Sequence, residues 1–203
     1  LLSGSLARLG RKSLYAFLYH RFSDFRDYPA WYDELLGLKA GGGVEKLGFS
    51  VYYPEEIQSL LEKGVGFDLV QVPYSVFDRR FEPLFPVLKK AGVEVHVRSV
   101  FLQGLAFMDP SGLPPGLAAM GPKIGRLRTI AQKAGAPVSA LCLGFALRDP
   151  HVDRVVIGVD GLDDLENNLS GSARPGDTEK ALQDLLGLSE KNEELLLPFK
   201  WKK

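Results

Sequence analysis

The 203-residue sequence contains a single cysteine, Cys142. A disulfide within the chain is therefore impossible, and the scarcity of cysteine suits a reducing compartment, so we expect a cytoplasmic protein. Because Cys142 lies inside the apolar run 140–147, we predict that it is a core residue.

The sequence also lacks an excess of charge of either sign, since 25 Lys and Arg residues balance 25 Asp and Glu residues. No basic field exists to attract nucleic acid or anionic lipid, so neither nucleic acid nor a membrane is an expected partner. No apolar stretch approaches the roughly 20 residues that a membrane-spanning helix needs. The length predicts a single domain over residues 1–203, in which 172–203 form an added helix and an extended tail.

Metal ligands at a regular spacing are missing as well. The three histidines, His20, His96 and His151, do not stand at ligand spacing with one another or with Cys142, so no metal site is expected. We interpret His151, which follows Asp149-Pro150, as a surface loop residue.

Apolar runs rich in Val, Leu and Phe recur along the chain, alternating with helical patterns that end at glycine. Such runs predict strands buried on both faces of a parallel sheet, joined by helices in right-handed βαβ units. The predicted strands are 13–22, 46–52, 69–74, 93–100 and 154–159. Helices are predicted at 1–9, 30–40, 54–63, 79–90, 124–134, 138–147, 162–169 and 178–188, with a long Gly- and Pro-rich loop at 105–122 and a tail from 192.

Polar residues stand where three of these strands end. They are Ser50, Gln71, Arg98, Ser99 and Gln103. Because the carboxyl ends of parallel strands meet at one edge of a barrel, we expect these five side chains to face one pocket. From the residues alone, a core histidine bonded to a backbone carbonyl is the favoured interpretation of His20. Gln71 and Arg98 can be satisfied by protein groups instead of a ligand.

Five segments resemble the aldo-keto reductase family in content and in order: LYAFLYHRF, KLGFSVY, DLVQVPYSVFDRR, VEVHVRSVFLQGL and VVIGVDGLDDLENNL. The likeness extends to about residue 168. It implies a (β/α)8 barrel that binds a nicotinamide cofactor without a Rossmann fingerprint, and the sequence contains no GxGxxG. The implied fold class is α/β, a partial (β/α)8 TIM-type barrel of five parallel strands with outer helices.

The resemblance also implies roles for individual residues. His20 takes the position of the active-site histidine that polarises the substrate carbonyl, and Ser50 and Gln71 match the residues that hydrogen-bond the nicotinamide carboxamide. Arg98 stands where the family often has an aromatic residue stacked on the nicotinamide. Ser99, Phe101 and Gln103 match the segment at the pyrophosphate and ribose, and Gly158, Asp164, Asn167 and Asn168 match the segment at the adenosine end.

Some family residues are missing from the pattern. The family's catalytic aspartate, general-acid tyrosine and lysine precede the histidine strand, and none of them can be placed here, so this chain alone is expected to be catalytically incomplete. Asp164 stands where a basic residue would grip a 2′-phosphate. A carboxylate repels phosphate and accepts a hydrogen bond from a ribose hydroxyl, which favours NAD over NADP.

The sequence thus predicts a nicotinamide-dependent oxidoreductase that acts on a small carbonyl or sugar-like substrate. The alternative is a non-catalytic, truncated relative that serves as a binding or assembly module. In either case the two edges of a five-stranded sheet are exposed to pairing. This predicts a further segment that covers them, a partner chain that does so, or a rearrangement of the chain.

Overall fold

The computed structural model describes residues 2–172 and 175–201. Its five strands lie in one parallel sheet in the order in which they occur along the chain, which confirms the predicted strand number and direction. The strands are β1 Leu14–Tyr19, β2 Val44–Ser50, β3 Leu69–Pro73, β4 Glu94–Arg98 and β5 Arg154–Val155. Each is shorter than or shifted from its predicted range, most of all β5, which has two residues instead of six.

The helices of the described residues alternate with these strands. They are α1 Leu2–Leu9, α2 Phe22–Asp27, α3 Ala30–Ala40, α4 Pro54–Glu62, α5 Phe85–Lys90, α6 Gly121–Ala134, α7 Val138–Leu147, α8 Leu162–Ser172, α9 Pro175–Leu186 and α10 Glu193–Leu196. Short 3-10 turns occur at Glu82–Leu84, Leu105–Phe107, Pro110–Gly112, Pro115–Met120 and Pro198–Lys200. The predicted bounds of α3 and α7 are confirmed, and the predicted loop 105–122 holds 3-10 turns until α6 begins.

The first strand was predicted to run to residue 22, and this is wrong. β1 ends at Tyr19, and α2 begins at Phe22, because Phe22 and Phe25 stand at helical spacing and Phe25 is buried. The Phe25 ring meets the rings of Tyr19 and Phe49 at centroid distances of 5.8 and 5.1 Å. His20 therefore lies just beyond the strand.

The helix predicted at 79–90 is also shorter than expected. A 3-10 turn starts at Glu82 and α5 starts at Phe85. Two prolines, Pro83 and Pro86, lack the amide protons that a continuous helix needs. The residues before Glu82 form a hydrogen-bonded turn instead, in which Ser75 N donates to the Asp78 carbonyl at 2.9 Å.

The chain divides into two compact units. The first comprises Leu1–Val72 and Pro86–Val95, and the second comprises Pro73–Phe85 and His96–Lys203. The single domain expected over 1–203 stays a prediction.

The core of the first unit surrounds Phe49 on β2, which is fully buried. Tyr19 stacks on Phe49 at 5.5 Å and Tyr32 of α3 stacks at 5.6 Å. The helical spacing in α3 suggested Trp31, Leu35 and Leu38 as its apolar face, but Trp31 and Leu38 are exposed and Tyr32 is the buried residue of this helix. Aromatic stacking on Phe49 thus decides which face of α3 is covered.

In the second unit, α7 is apolar on all sides and almost wholly buried, including Cys142. The core position predicted for Cys142 is confirmed, and burial raises the pKa of its thiol to about 12. Tyr74 packs against Phe85 and Phe145 at 5.2 and 5.6 Å. β5 pairs with β4 through His96 opposite Arg154 and Val97 opposite Val155.

The end of the chain was predicted to be an extended tail, which is wrong for the residues that the structure describes. α10 and a 3-10 turn fold this segment, and Leu195, Leu196 and Leu197 are buried. Trp201 Nε1 donates to the Leu195 carbonyl at 3.1 Å. Apolar burial of three consecutive leucines explains why the segment packs.

Within the described residues, no single helix is long and apolar enough to cross a membrane. Two successive helical stretches, Pro115–Ala134 and Val138–Leu147, are long and apolar enough only when taken together, and the chain bends by 92° between them.

Candidate functional site

Ser50 and Gln71 are neighbours at the ends of β2 and β3. They are paired in the parallel register, and the ladder continues one step further because Val51 N donates to the Gln71 carbonyl at 3.0 Å. Ser50 is buried and Gln71 is half-buried. A hydroxyl and a primary amide side by side offer both donors and acceptors, which is the complement that a carboxamide group needs.

Gly48 lets β2 and β3 approach closely enough for this pairing. It stands opposite Leu69, and a Cβ added to Gly48 would lie 1.9 Å from the Leu69 carbonyl oxygen. Any side chain at position 48 would push the two strands apart. The glycine therefore fixes the register that brings Ser50 beside Gln71.

His20 follows the last residue of β1 and is exposed. Its neighbour Tyr19 is buried, and the Tyr19 hydroxyl has no hydrogen-bond partner among the described residues. Burial raises the pKa of Tyr19, and the carboxylates of Asp24 and Glu34 add to the rise. Tyr19 is thus a weaker acid than a tyrosine in water and a poor proton donor at neutral pH.

Arg98 ends β4, and its side chain contacts the first residue of the following loop. Arg98 Nη1 donates to Ser99 Oγ at 3.3 Å. The Arg98 carbonyl accepts from Tyr74 N at 3.0 Å, which ties the end of β4 to the turn after β3 within the second unit.

The loop 99–104 has an unusual backbone. Three of its non-glycine residues are left-handed, Ser99 at φ 59°, Leu102 at φ 48° and Gln103 at φ 54°, and Gly104 follows at φ 80°. Each left-handed non-glycine residue costs on the order of 1 kcal/mol, and such residues persist only where the surrounding structure holds them. Left-handed residues also turn successive N–H groups toward one side, which is the geometry of anion-binding backbone nests.

Side chains and turns hold this loop in place. Leu102 is buried, and Leu102 N donates to the Ser99 carbonyl at 2.8 Å. The ring of Phe101 lies 5.0 Å from that of Phe107, and Arg128 Nη2 donates to the carbonyls of Phe107 and Met108 at 2.9 and 3.0 Å. The strained segment is therefore anchored at both ends.

The segment after β5 contains the other predicted cofactor residues. Gly158 is exposed, and Asp164 lies in the first turn of α8, where a carboxylate favours the helix dipole. Asn168 is buried, whereas Asn167 is exposed and its carbonyl accepts from Ser170 Oγ at 3.1 Å.

A family model, the aldo/keto reductase family, matches residues 2–182. The chain belongs to the aldo/keto reductase family. No curated protein matches the sequence significantly.

Solved structures of aldo-keto reductases share the fold of this family member. AKR11C1 from Bacillus halodurans matches in its holo form with a TM-score of 0.73 and 24% identity, over 98% of this chain and 66% of its own. Its apo form matches with a TM-score of 0.69 and 23% identity, over 98% and 70%. The thermostable aldo-keto reductase Tm1743 in complex with the inhibitor epalrestat matches at 0.64 with 18% identity, over 92% and 64%.

These likenesses show the fold. Five parallel strands with surrounding helices form part of a (β/α)8 barrel of the aldo-keto reductase type. This chain spans 66%, 70% and 64% of the lengths of the three matched chains, so the activity of a whole aldo-keto reductase is a proposal for this one.

The predicted site residues of this aldo/keto reductase chain fall into two groups. The first unit contains His20 and the adjacent pair Ser50 and Gln71. The second unit contains Arg98 beside Ser99, with Phe101 and Gln103 in the same loop, and the segment from Gly158 to Asn168. That Ser50, Gln71, Arg98, Ser99 and Gln103 face one pocket stays a prediction.

Sequence reasoning missed the residues that support this site. Asp78 and Arg80 form an ion pair in the turn after β3, and Arg128 bonds the carbonyls of Phe107 and Met108, which follow the loop 99–104. The letters DRR lie inside one of the family-like segments, and an aspartate two residues before an arginine is a possible local ion pair. That signal is too common to have been decisive.

His151 is half-buried rather than fully on the surface. Its backbone N–H donates to Asp149 Oδ1 at 3.0 Å, and its Nδ1 lies 2.9 Å from the same oxygen. Among the residues that the structure describes, no group of three or more His, Cys, Asp or Glu side chains is placed to hold a metal ion.

Proposed function

We propose that this chain is the cofactor-binding part of a nicotinamide-dependent oxidoreductase that acts on a small carbonyl or sugar-like substrate. The observation that supports it most is the loop 99–104, where three left-handed non-glycine residues coincide with the segment expected to contact the pyrophosphate and ribose. Strain of this kind concentrates at ligand clamps. Membership of the aldo/keto reductase family also supports the proposal of a nicotinamide-dependent oxidoreductase.

Each unit contains residues that suit one part of a nicotinamide dinucleotide. Ser50 and Gln71 would hold the carboxamide, since their hydroxyl and amide groups lie side by side at the strand ends. Backbone amides of 99–104 other than that of Leu102, which donates to the Ser99 carbonyl, would hold the pyrophosphate together with Arg98. A bound nicotinamide would supply or accept the hydride, and His20 would orient the carbonyl oxygen of the substrate.

Tyr19, the tyrosine next to His20, is not a suitable proton donor. Tyr19 adjoins His20, but its pKa is raised by burial and by two carboxylates, so it does not replace a tyrosine activated by a lysine. We therefore propose that a further segment or a partner chain completes the catalytic site.

A surface in the second unit supports a covering segment. Leu162, Leu165 and Leu169 of α8 form a stripe at helical spacing and are exposed by 68%, 38% and 61%. Val156, directly after β5, is exposed by 41%, and among the described residues β5 pairs only with β4. A strand at the end of a sheet and an exposed apolar stripe on a helix are each typical sites for contact with further protein. If the chain binds another protein at this surface and binds no dinucleotide, the alternative function of a non-catalytic assembly module gains support.

Calorimetric titration of the purified chain with NAD and NADP tests the proposal. Saturable binding of either dinucleotide, weakened by substitutions in the site but not by matched surface substitutions, is expected. A folded chain that binds neither dinucleotide would contradict the oxidoreductase proposal. In that case, the relevant measurement is the mass of the purified chain in solution by mass photometry, which shows whether the chain associates with a second protein molecule.

A further inference from the structure

The C-terminal segment, residues 189–201, is fastened by charged groups to the turn after β3. Arg80 donates from Nε and Nη2 to Asp78 Oδ1 and Oδ2 at 2.9 and 2.8 Å. From Nη1 the same guanidinium donates to Glu193 Oε1 at 3.1 Å, and Lys200 Nζ approaches Glu193 Oε2 at 3.1 Å. Arg80 thus joins a carboxylate of the turn to a carboxylate of the C-terminal segment.

The Asp78–Arg80 part of this contact is largely shielded from water, whereas the Glu193 side chain is 37% exposed. The Asp78 side chain is 1% exposed and the Arg80 side chain 14% exposed. A charge-assisted pair with two parallel bonds is strong and geometrically demanding, and screening by salt affects it less than it affects a surface pair. The position of Arg80 is therefore well defined, and so is the place where Glu193 docks.

The C-terminal segment has further attachments in the same unit. Glu190 N donates to the Phe77 carbonyl at 2.8 Å. Lys123 of α6 pairs with Glu190 Oε2 at 3.1 Å and also contacts the Ser189 carbonyl. Burial of the three leucines at 195–197 adds an apolar anchor. The segment is an integral part of the unit.

On its other side, the turn is bonded to Arg98, the residue that precedes the loop that we propose as the pyrophosphate contact. Ser75 Oγ accepts from the amides of Phe77 and Asp78 at 3.2 and 3.0 Å, which closes the turn. Tyr74 N then donates to the Arg98 carbonyl at 3.0 Å. The residue after Arg98 is Ser99, the first left-handed residue of the loop. An unbroken path of hydrogen bonds and covalent bonds runs from Glu193 to Ser99.

We propose that Arg80 is a positioning residue: through Asp78 and the turn 74–78, it makes the conformation of the loop 99–104 depend on the docked C-terminal segment. Left-handed residues return to ordinary backbone conformations when their surroundings loosen. Loss of the Glu193 contact should then relax Ser99 and weaken binding of a nicotinamide dinucleotide. The effect on affinity rests on the proposed function, whereas the effect on the loop does not.

Two adjacent glutamates provide a matched comparison. The Glu193 carboxylate contacts Arg80. The Glu194 side chain is 67% exposed, and its one ion pair among the described residues is with Lys200, at 3.5 Å. Glu193→Gln and Glu194→Gln remove the same charge from neighbouring positions. Arg80→Met is a less suitable probe, because it leaves the buried Asp78 carboxylate without its partner and can unfold the chain. Arg80→Lys keeps the charge but not the fork geometry and should show an intermediate effect.

Hydrogen exchange without any ligand is the first readout. The amides of Leu102, Leu105, Ala106 and Phe107 are hydrogen-bonded inside or next to the loop. In Glu193→Gln, a peptide covering 99–107 should exchange at least about 5-fold faster than in the parent chain, as expected for an ordinary coupling between sites. The same peptide in Glu194→Gln, and a peptide from α4 in both variants, should be unchanged.

Dinucleotide affinity is the second readout. Glu193→Gln should raise the Kd for NAD or NADP about 5-fold, and Glu194→Gln should leave the Kd unchanged. Unchanged exchange in 99–107 overturns the proposal. Faster exchange with an unchanged Kd supports the positioning of the loop by Arg80 and contradicts the proposed contact of the loop with the dinucleotide. If the parent chain binds no dinucleotide, the proposed function fails, and the exchange of 99–107 alone then decides whether Arg80 positions the loop.

Discussion

Ser50 on β2 lies directly opposite Gln71 on β3, at the carboxyl ends of two parallel strands. The pairing depends on Gly48 two residues earlier, where the β3 backbone leaves no room for a Cβ atom. A polar pair at a strand end, supported by an obligatory glycine inside the strand, has its geometry set by the backbone. Rigid placement of this kind suits the recognition of a small planar group.

Replacing Gln71 by Leu should weaken dinucleotide binding about 10-fold, because loss of the amide leaves a ligand group without its hydrogen bond, at a cost of roughly 1–3 kcal/mol. Gln58→Leu on α4 is the matched control, since Gln58 is exposed in the same unit. Calorimetric titration measures both. Equal affinities of the two variants would show that Gln71 serves the sheet and not the cofactor.

Replacing Gly48 by Ala should destabilise the fold by about 1–3 kcal/mol, the usual cost of an overpacked core position. The added methyl group would meet the Leu69 carbonyl oxygen at 1.9 Å, and backbone cannot rotate away as a flexible side chain can. Gly66→Ala is the control, because nothing lies within 4 Å of its ideal Cβ position. Urea denaturation followed by circular dichroism gives both free energies of unfolding, and a Gly48→Ala value within error of the control would contradict the close approach.

The sequence predicted repeating elements well and single-residue packing poorly. α7 could be located because a fully apolar run between Pro137 and Arg148 has one reasonable interpretation. α2 and the buried face of α3 were missed because the decisive contacts are to Phe49, which is distant in the sequence. Periodicity cannot show which aromatic residue stacks on which.

In the candidate site, too, the positions of residues at strand ends could be predicted, whereas features imposed by tertiary packing could not. Ser50, Gln71 and Arg98 could be placed at strand ends from the strand pattern alone. The left-handed backbone of Leu102 could not, because leucine has no preference for that conformation and the surroundings impose it. Leu195, Leu196 and Leu197 were read as part of a tail, since four helical residues are too few to give a periodic signal.

Cys142 should be unreactive in the folded chain. Burial raises the pKa of its thiol to about 12, so almost no thiolate exists between pH 7 and 9. A thiol-specific chromogenic reagent should therefore react with the chain only after unfolding in guanidinium. Rapid reaction of the native chain would mean that α7 opens locally.

The raised pKa of the Cys142 thiol also predicts how the free energy of unfolding depends on pH. An unfolded thiol loses its proton near pH 8.5–9, whereas the folded thiol keeps it to about 12, so the unfolded state binds fewer protons in this window. The free energy of unfolding should fall as pH rises through it, by up to about 1.4 kcal/mol per pH unit from this group. Cys142→Ala should decline less steeply above pH 9, as measured by urea denaturation at each pH. Parallel curves for the two proteins would contradict the assignment.

The choice between NAD and NADP should be set by Asp164 in the first turn of α8. If this carboxylate lies beside the adenosine ribose, it accepts a hydrogen bond from a free 2′-hydroxyl and repels a 2′-phosphate, so the chain should bind NAD more tightly than NADP. Asp164→Lys should shift the ratio of the two affinities toward NADP by about 10-fold, because the charge next to the phosphate changes sign.

Asp163→Lys makes the same change one residue earlier in the same helical turn and controls for net charge and for the helix dipole. Titration of all three proteins with both dinucleotides at two salt concentrations provides the measurement, since a direct charge effect on the phosphate weakens at high ionic strength. Equal shifts in both lysine variants would place the adenosine ribose away from Asp164, and tighter binding of NADP by the parent chain would show that the preference for NAD is wrong.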